Sequence, residues 1–205
     1  MSTAGCPKFV VLEGLDGAGK TTAAKLFAKE TGAVCMTTPS EALRAHRDVI
    51  VESLATQLSR QLFYLSMVED ASERIRLLLG QGGSVVLDRY YLSTQAYAAF
   101  RGSNLEVPLL EATLLIPDLT VFVEAPLEVR RARLLTRGLN PFDRETMSEK
   151  ANARLIREYE ARFGCRVTGR LLRIDTSTVE PCEIVQRIRA ELRSDDAVHG
   201  TAARC

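Results

Sequence analysis

Lys8-Phe9-Val10-Val11-Leu12-Glu13 runs directly into Gly14-Leu15-Asp16-Gly17-Ala18-Gly19-Lys20-Thr21. The first six residues are a short, mostly apolar run with β-branched members, which predicts a buried strand. The next eight fit the pattern GxxxxGK(S/T) in full. After them, Lys20 to Lys29 carries Ala, Leu and Phe at helical spacing. A buried strand, a Gly-rich turn and a helix are the context in which this pattern cradles phosphates. The glycines let the backbone wrap closely, so that successive N–H groups point inward at phosphate oxygens. The helix N-terminus adds the positive end of its dipole. Lys20 can reach the β- and γ-phosphates of a nucleotide, and the Thr21 hydroxyl can ligate Mg²⁺.

Working outward, Ser84–Leu87 is another buried-strand run, and Ala33–Met36, Leu119–Val123 and Leu171–Ile174 are further strand candidates. Helical patterns separate them: a long one over Val51–Leu79, then Leu92–Ala99, Val107–Leu115, Leu127–Thr136, Ser148–Phe163 and Pro181–Leu192. In the long pattern Leu54, Leu58, Leu62, Leu65, Val68 and Ile75 recur every three or four positions, and Gly80, Gly82 and Gly83 close it. Strands alternating with helices predict an α/β fold with a five-stranded parallel sheet covered on both faces, a three-layer αβα sandwich.

The composition agrees. The chain has 205 residues, 46% of them hydrophobic and 26% charged, which excludes disorder and fibrous repeats and predicts one domain over residues 1–193. Residues 194–205 are small and polar and are expected to form a frayed tail. Lys plus Arg is 27 against 26 for Asp plus Glu, so bulk charge gives no case for nucleic acid or an anionic membrane as partner. Five scattered cysteines without a CxxC pair argue against a disulfide framework or zinc site and for reduced thiols. With no signal-peptide layout and no apolar run long enough to span a bilayer, the expected location is cytoplasmic.

Two further features bear on chemistry. Asp88 ends the strand at Ser84–Leu87, and in open α/β sheets the site lies beyond the carboxyl ends of the strands. Asp88 is therefore expected beside the Gly14 loop, where it can help Thr21 hold Mg²⁺; a helix cap or an ion pair with Arg89 is the plainer alternative. Arg130, Arg133 and Arg137 share a helix face, and Gly138, Asn140 and Pro141 interrupt it before Asp143-Arg144. Residues 137–148 thus predict a small lid whose Arg137 or Arg144 neutralises charge during phosphoryl transfer. Arg130 and Arg131 read as solvated.

Together these stretches resemble the thymidylate kinase family of P-loop nucleoside monophosphate kinases. The resemblance spans Phe9 to Leu192 and rests on Leu12–Thr22, on Asp88-Arg89-Tyr90-Tyr91-Leu92-Ser93-Thr94-Gln95-Ala96-Tyr97, on Pro117-Asp118-Leu119-Thr120 and on the Arg133 to Arg144 lid stretch. It implies phosphoryl transfer from ATP, with Mg²⁺, to a nucleoside 5′-monophosphate. Gly14, Asp16, Gly17, Ala18, Gly19, Lys20, Thr21, Thr22 and Arg133 would surround the donor. Lys20, Asp88, Arg89, Arg137 and Arg144 would carry catalysis. On the acceptor side, Asp16 would lie near the sugar and the metal, and Arg89 would hold the 5′-phosphate. Ser93, Thr94 and Gln95 would line the base pocket, Tyr97 would disfavour a 2′-hydroxyl, and Phe63 would stack on the base. The family's dimers imply a possible homodimer through the long helix.

The chain departs from the family pattern at three places. Thr37-Thr38-Pro39-Ser40-Glu41 replaces an Arg-Glu-Pro-Gly stretch, leaving Arg44 or Arg47 to stand in for its arginine. Met67 occupies the position of the thymine-reading arginine, and Ala98 that of a glutamine. Met cannot donate to a carbonyl. Either Ser66 or Asp70 accepts from an exocyclic amine, which favours cytosine or adenine, or Met67 fills core space and Asp70 is solvated. A nucleoside or other small-molecule kinase, with Glu13 or Asp16 as base, and a nucleotide-dependent switch without transfer chemistry stay open at this point.

Overall fold

The structure, a computed structural model, describes residues 6–199. Five strands, β1 (Phe9–Glu13), β2 (Val34–Thr37), β3 (Val85–Asp88), β4 (Leu119–Glu124) and β5 (Leu171–Asp175), form one parallel sheet in the order β2-β3-β1-β4-β5. β1 is central because every one of its residues is apolar or buried: Phe9, Val10, Val11, Leu12 and Glu13 are all inaccessible to solvent. Its register pairs Leu12 with Asp88 of β3 and Glu13 with Phe122 of β4. Strand order reverses at β1, so its carboxyl end opens into the crevice where ligands of such sheets bind.

Alternation along β1 divides the core between the two faces. Val10 and Leu12 pack with Ala23, Ala24 and Phe27 of α1 (Lys20–Thr31) and with Ile184, Val185 and Ile188 of α9 (Pro181–His199). Phe9 and Val11 pack instead with Leu65, Val68 and Ile75 of α3 (Gln57–Gly80). Beside them, Phe122 meets Leu92 and Ala96 of α4 (Tyr91–Phe100) and Leu155 and Tyr159 of α8 (Glu149–Glu160). This is the three-layer αβα sandwich that the strand–helix alternation predicts.

Two boundaries differ from expectation. The long pattern from Val51 is two helices, α2 (Glu41–Ser53) and α3, separated at Leu54–Thr56. Thr56 caps α3 by accepting from the Ser59 amide at 3.0 Å, and capping there stops the upstream helix from running through. The apolar period is buried only in part: Leu65, Val68 and Ile75 lie in the core, but Leu58 and Leu62 are 47% and 49% exposed, while Gln61 and Ser72 face inward. Those two polar side chains are satisfied by internal hydrogen bonds, so burying them carries little penalty. At the other end, α9 continues to His199, through residues expected to fray, because extending a formed helix adds one bond per residue fixed. Residues 200–205 of the expected tail lie outside those described.

Three shorter helices complete the chain: α5 (Pro108–Thr113), α6 (Leu127–Arg137) and α7 (Pro141–Glu145). α7 forms the lid. Asn140 and Asp143 cap it reciprocally, each side chain accepting from the other's amide.

Candidate active site

The loop after β1 is built by contacts only glycine permits. At Gly14 a Cβ would lie 2.1 Å from the Val123 carbonyl oxygen of β4. Gly17 has φ of 80° and backs onto the Arg130 carbonyl, 2.9 Å from where a Cβ would stand. Gly19, at φ 98°, leads into α1, whose first turn has no capping side chain and no acidic residue. The N-terminus of α1 is therefore positive and unscreened, as an anion site requires. Lys20 lies under the loop and donates to the Leu15 carbonyl at 2.8 Å. Burial, and then the nearby Arg89, pull its ammonium down to about 8, while Asp16 and Asp88 oppose the shift.

Arg130 is 2% exposed, contrary to the solvated reading of α6. It donates to the Asp16 carbonyl at 2.9 Å and to the Asn152 side chain of α8. Arg133 reaches the same loop, donating to Gly17 at 3.4 Å and to the Thr176 carbonyl at 2.6 Å. The loop is thus clamped from outside by two arginines of α6. An i,i+3 pair on a helix that follows a central strand was the available signal for Arg130; its burial was not readable because charged residues are almost never fully buried unless paired.

Beyond β3, the Thr21 hydroxyl donates to Asp88 Oδ2. Asp88 is 6% exposed, and its other oxygen, Oδ1, is buried without a hydrogen-bond partner among the described residues. An acceptor left open in this way fits a divalent cation. Among the described residues no cluster of three or more His, Cys, Asp or Glu could hold a metal, so the pair suits an ion that arrives with phosphate ligands of its own.

Arg89 follows with φ of 72°, the one positive value outside glycine among the described residues. That turn aims its guanidinium back at Asp16, with which it is paired. Tyr97 Oη donates to the other Asp16 oxygen at 2.7 Å. Burial would raise the Asp16 carboxyl, but Arg89, and then Lys20, hold it well below the usual carboxylate range. Beneath the trio, Glu13 is fully buried and accepts from the Tyr90 amide at 2.9 Å, the Ser93 amide at 3.1 Å and the Ser93 hydroxyl. Burial pushes its carboxyl upward even so. Glu13 therefore fixes the turn at Arg89, and Tyr159 completes it with bonds to Ser93 at 2.9 Å and Gly14 at 3.2 Å.

A cavity opens from this trio. Its lining includes Asp16, Arg89, Ser93, Thr94 and Tyr97, and also Arg44, Arg47, Arg60 and Arg101. Asp16 is the one carboxylate among the lining residues. The α3 wall is Gln57, Arg60, Gln61 and Tyr64, an i, i+3, i+4, i+7 face. Of the residues expected there, Phe63, Met67 and Asp70 are not in the lining; Tyr64 stands where Phe63 was expected. Asp70 is paired with Arg74 at 2.8 Å on the outer surface, and the exposed Ser66 donates to the Phe63 carbonyl at 2.8 Å. Gln95 faces away from the cavity, donating to Tyr91 at 2.8 Å. Arg137 is held by Asp143 at 2.7 Å, and the guanidinium of the exposed Arg144 has no hydrogen-bond partner among the described residues.

The sequence model of the family described as thymidylate kinase matches residues 12–188. The chain belongs to the thymidylate kinase family. It is 33% identical to a probable thymidylate kinase of Archaeoglobus fulgidus over 66% of this chain and 74% of that protein. Against a thymidylate kinase of Bordetella petrii it is 31% identical over 91% of this chain and 95% of that one. Among solved structures, thymidylate kinase from Candida albicans superposes with a TM-score of 0.73 at 19% identity, covering 93% of this chain and 92% of that chain. The Ehrlichia chaffeensis thymidylate kinase gives 0.64 at 19% identity, over 92% and 100% of the two chains.

As a member of the thymidylate kinase family, the protein is a nucleoside monophosphate kinase, and ATP is the family's phosphate donor. The thymidylate kinase resemblance drawn from sequence pointed to most of the loop side of the site but only part of the acceptor side. Arg60, Tyr64, Arg101 and Phe142, which also line the cavity, have no motif to mark them, whereas Arg44 and Arg47 stand among the lining residues as the sequence allowed.

Proposed function

We propose that the protein transfers the γ-phosphoryl group of ATP to thymidine 5′-monophosphate, giving the diphosphate. The observation that carries this reading is the Asp16–Arg89–Tyr97 trio at the head of an arginine-lined cavity, beside a phosphate-binding loop. Arg89 holds the acceptor's phosphate, and Asp16 and Tyr97 lock its direction. That phosphate, with a second pKa near 6, is already a nucleophile near neutral pH, so no general base is required. A hydroxyl acceptor would need one. Glu13 is taken up by three donors and Asp16 by Arg89 and Tyr97, which disfavours the nucleoside-kinase alternative.

Donor-side positioning falls to Gly14, Gly17, Ala18, Gly19, Lys20 and Thr22, with Arg133 behind the loop. Thr21 and Asp88 would hold Mg²⁺, which supplies charge neutralisation between the phosphates. Of the lid arginines, Arg137 is engaged by Asp143, and Arg144 is the one assigned to the transferring phosphoryl group. Catalysis is then positioning plus charge stabilisation.

The base follows from donor chemistry. Arg44, Arg47, Arg60 and Arg101 can only donate, and Gln61 has both its groups engaged by Gln95, Ser103 and Leu105. A base edge with carbonyls suits these donors; the exocyclic-amine alternative loses Ser66 and Asp70, which lie outside the lining, and keeps only neutral acceptors such as Gln57 and Thr94. Cytoplasmic location and a homodimer through α3, where Leu58 and Leu62 are exposed, belong to the same reading. No described helix is long and apolar enough to cross a membrane.

Initial rates with ATP and Mg²⁺ across dTMP, dUMP, dCMP, CMP and dAMP test the proposal. The expected kcat/KM for dTMP exceeds that for dCMP by at least about tenfold, the discrimination of one lost hydrogen-bonding group at its weakest. A preference for dCMP or dAMP would overturn the base assignment, and nucleosides outperforming monophosphates would overturn the reaction class.

A further inference from the structure

The lid meets the acceptor cavity at Asn140 and at one aromatic ring. Phe142 of α7 lies between two guanidinium groups that also line that cavity. Arg47 of α2 is 4.8 Å from the ring centroid and Arg101, just after α4, is 5.5 Å from it. Arg101 faces a second ring as well, Tyr97, at 5.2 Å, and Arg89 lies over the same ring at 5.3 Å. The result is a continuous alternation of cation and ring, Arg47–Phe142–Arg101–Tyr97–Arg89, from α2 through the lid to the residue proposed to hold the acceptor phosphate. Arg101 also donates to Glu145 of the lid at 2.9 Å.

The charge balance explains why the rings are needed. Five arginines line the cavity with Asp16 as the one lining carboxylate. Arg47 has Asp48 and Arg101 has Glu145 on the outer side, but their inner faces meet rings rather than carboxylates. An aromatic face attracts a guanidinium electrostatically while adding no charge of its own. The cavity can therefore keep its cations close together and still be positive enough for a dianionic acceptor.

We propose that Phe142 is the acceptor-side positioning residue of the lid, coupling lid docking to acceptor binding through Arg47 and Arg101. The inference rests on the assignment of this cavity to a nucleoside monophosphate. Asn140 and Phe142 line the cavity only while the lid is docked, so an undocked lid offers the acceptor an incomplete pocket. Apparent affinity for the acceptor is then reduced by the docked fraction. Two cation–π contacts of the exposed kind set that fraction by about five- to thirtyfold.

The test compares Phe142→Leu, which keeps an apolar side chain and removes the ring face, with Phe142→Tyr, which keeps the face. KM is measured for ATP and for dTMP, or for whichever monophosphate proves the best acceptor. Phe142→Leu is expected to raise the acceptor KM about five- to thirtyfold, with kcat at saturation and the KM for ATP within about threefold. Phe142→Tyr is expected to return the acceptor KM to within about threefold of the parent. Phe142→Met, which likewise removes the ring face and keeps an apolar side chain, is expected to give the same rise and serves if the Leu variant does not fold. A Leu variant with the parent's acceptor KM, or one whose ATP KM rises in parallel, overturns the coupling while leaving the reaction intact. A parent enzyme that phosphorylates no nucleoside monophosphate overturns both.

Discussion

Lys20 is 5% exposed with an ammonium pulled down to about 8, and this has a measurable consequence. A polyphosphate beside it restores the ordinary lysine range, so donor binding takes up a proton when the pH is near 8 or above. Affinity for ADP is expected to fall as pH rises through 8, by at most about tenfold per unit for a single proton. Titration calorimetry in buffers of different ionisation enthalpy reads the uptake directly, and Lys20→Met should abolish it. For the unliganded protein the sign is the reverse. Between about 8 and the unfolded lysine value near ~10.4 the unfolded chain binds the extra proton, so stability rises with pH across that window. Arg130 makes a second residue-scale case. Arg130→Met removes its bonds to the Asp16 carbonyl and to Asn152, and leaves that loop carbonyl without its buried donor. A loss of about 2–4 kcal/mol in stability is expected by denaturant unfolding, together with weaker donor binding.

At the scale of elements, α3 decides which side chains form one wall of the cavity. Its sequence carries two interleaved patterns, and the leucine pattern is the more conspicuous. Packing keeps Leu65, Val68 and Ile75 of that pattern but turns Gln61 and Ser72 inward in place of Leu58 and Leu62, because Gln61 can bond Ser103 and Leu105, and Ser72 can accept from the Leu115 amide, once α3 lies against α4 and the loops after it. The helix is thereby rotated so that Tyr64, not Phe63, lines the cavity. Tyr64→Leu is expected to raise the acceptor KM at least about tenfold through loss of aromatic contact area, whereas Phe63→Leu should stay within about threefold. Equal effects of the two substitutions in steady-state kinetics would show that the rotation is wrong. The break before α3 is legible in retrospect: Thr56 precedes Ser59 by three residues, a capping spacing, but the apolar residues on either side of it masked the boundary.

For the molecule as a whole, placing β1 between β3 and β4 brings the Gly14–Thr21 loop, which carries Asp16, beside the cavity that Asp16 and Arg89 line. Donor and acceptor should then stabilise the fold through largely separate contacts. ADP with Mg²⁺ and dTMP, each at about 100 times its Kd, are expected to add about 2.7 kcal/mol apiece by thermal unfolding, with the sum reached when both are present. A mixture no more stable than either ligand alone would mean that the two compete for one site.

The strands, their parallel arrangement, the Gly-rich loop and the Asp88-Arg89 turn were legible in the chain itself; the order β2-β3-β1-β4-β5 came only with the fold. They rest on local chemistry: continuous apolar runs, glycines where no Cβ fits, a carboxylate at a strand end. The acceptor wall was not. Arg60 and Tyr64 of α3, Arg101 in the turn after α4 and Phe142 of α7 are brought together from three separate parts of the chain. Which face of a helix turns inward depends on whether its buried polar groups find partners on other elements, and those partners exist only once the chain has packed.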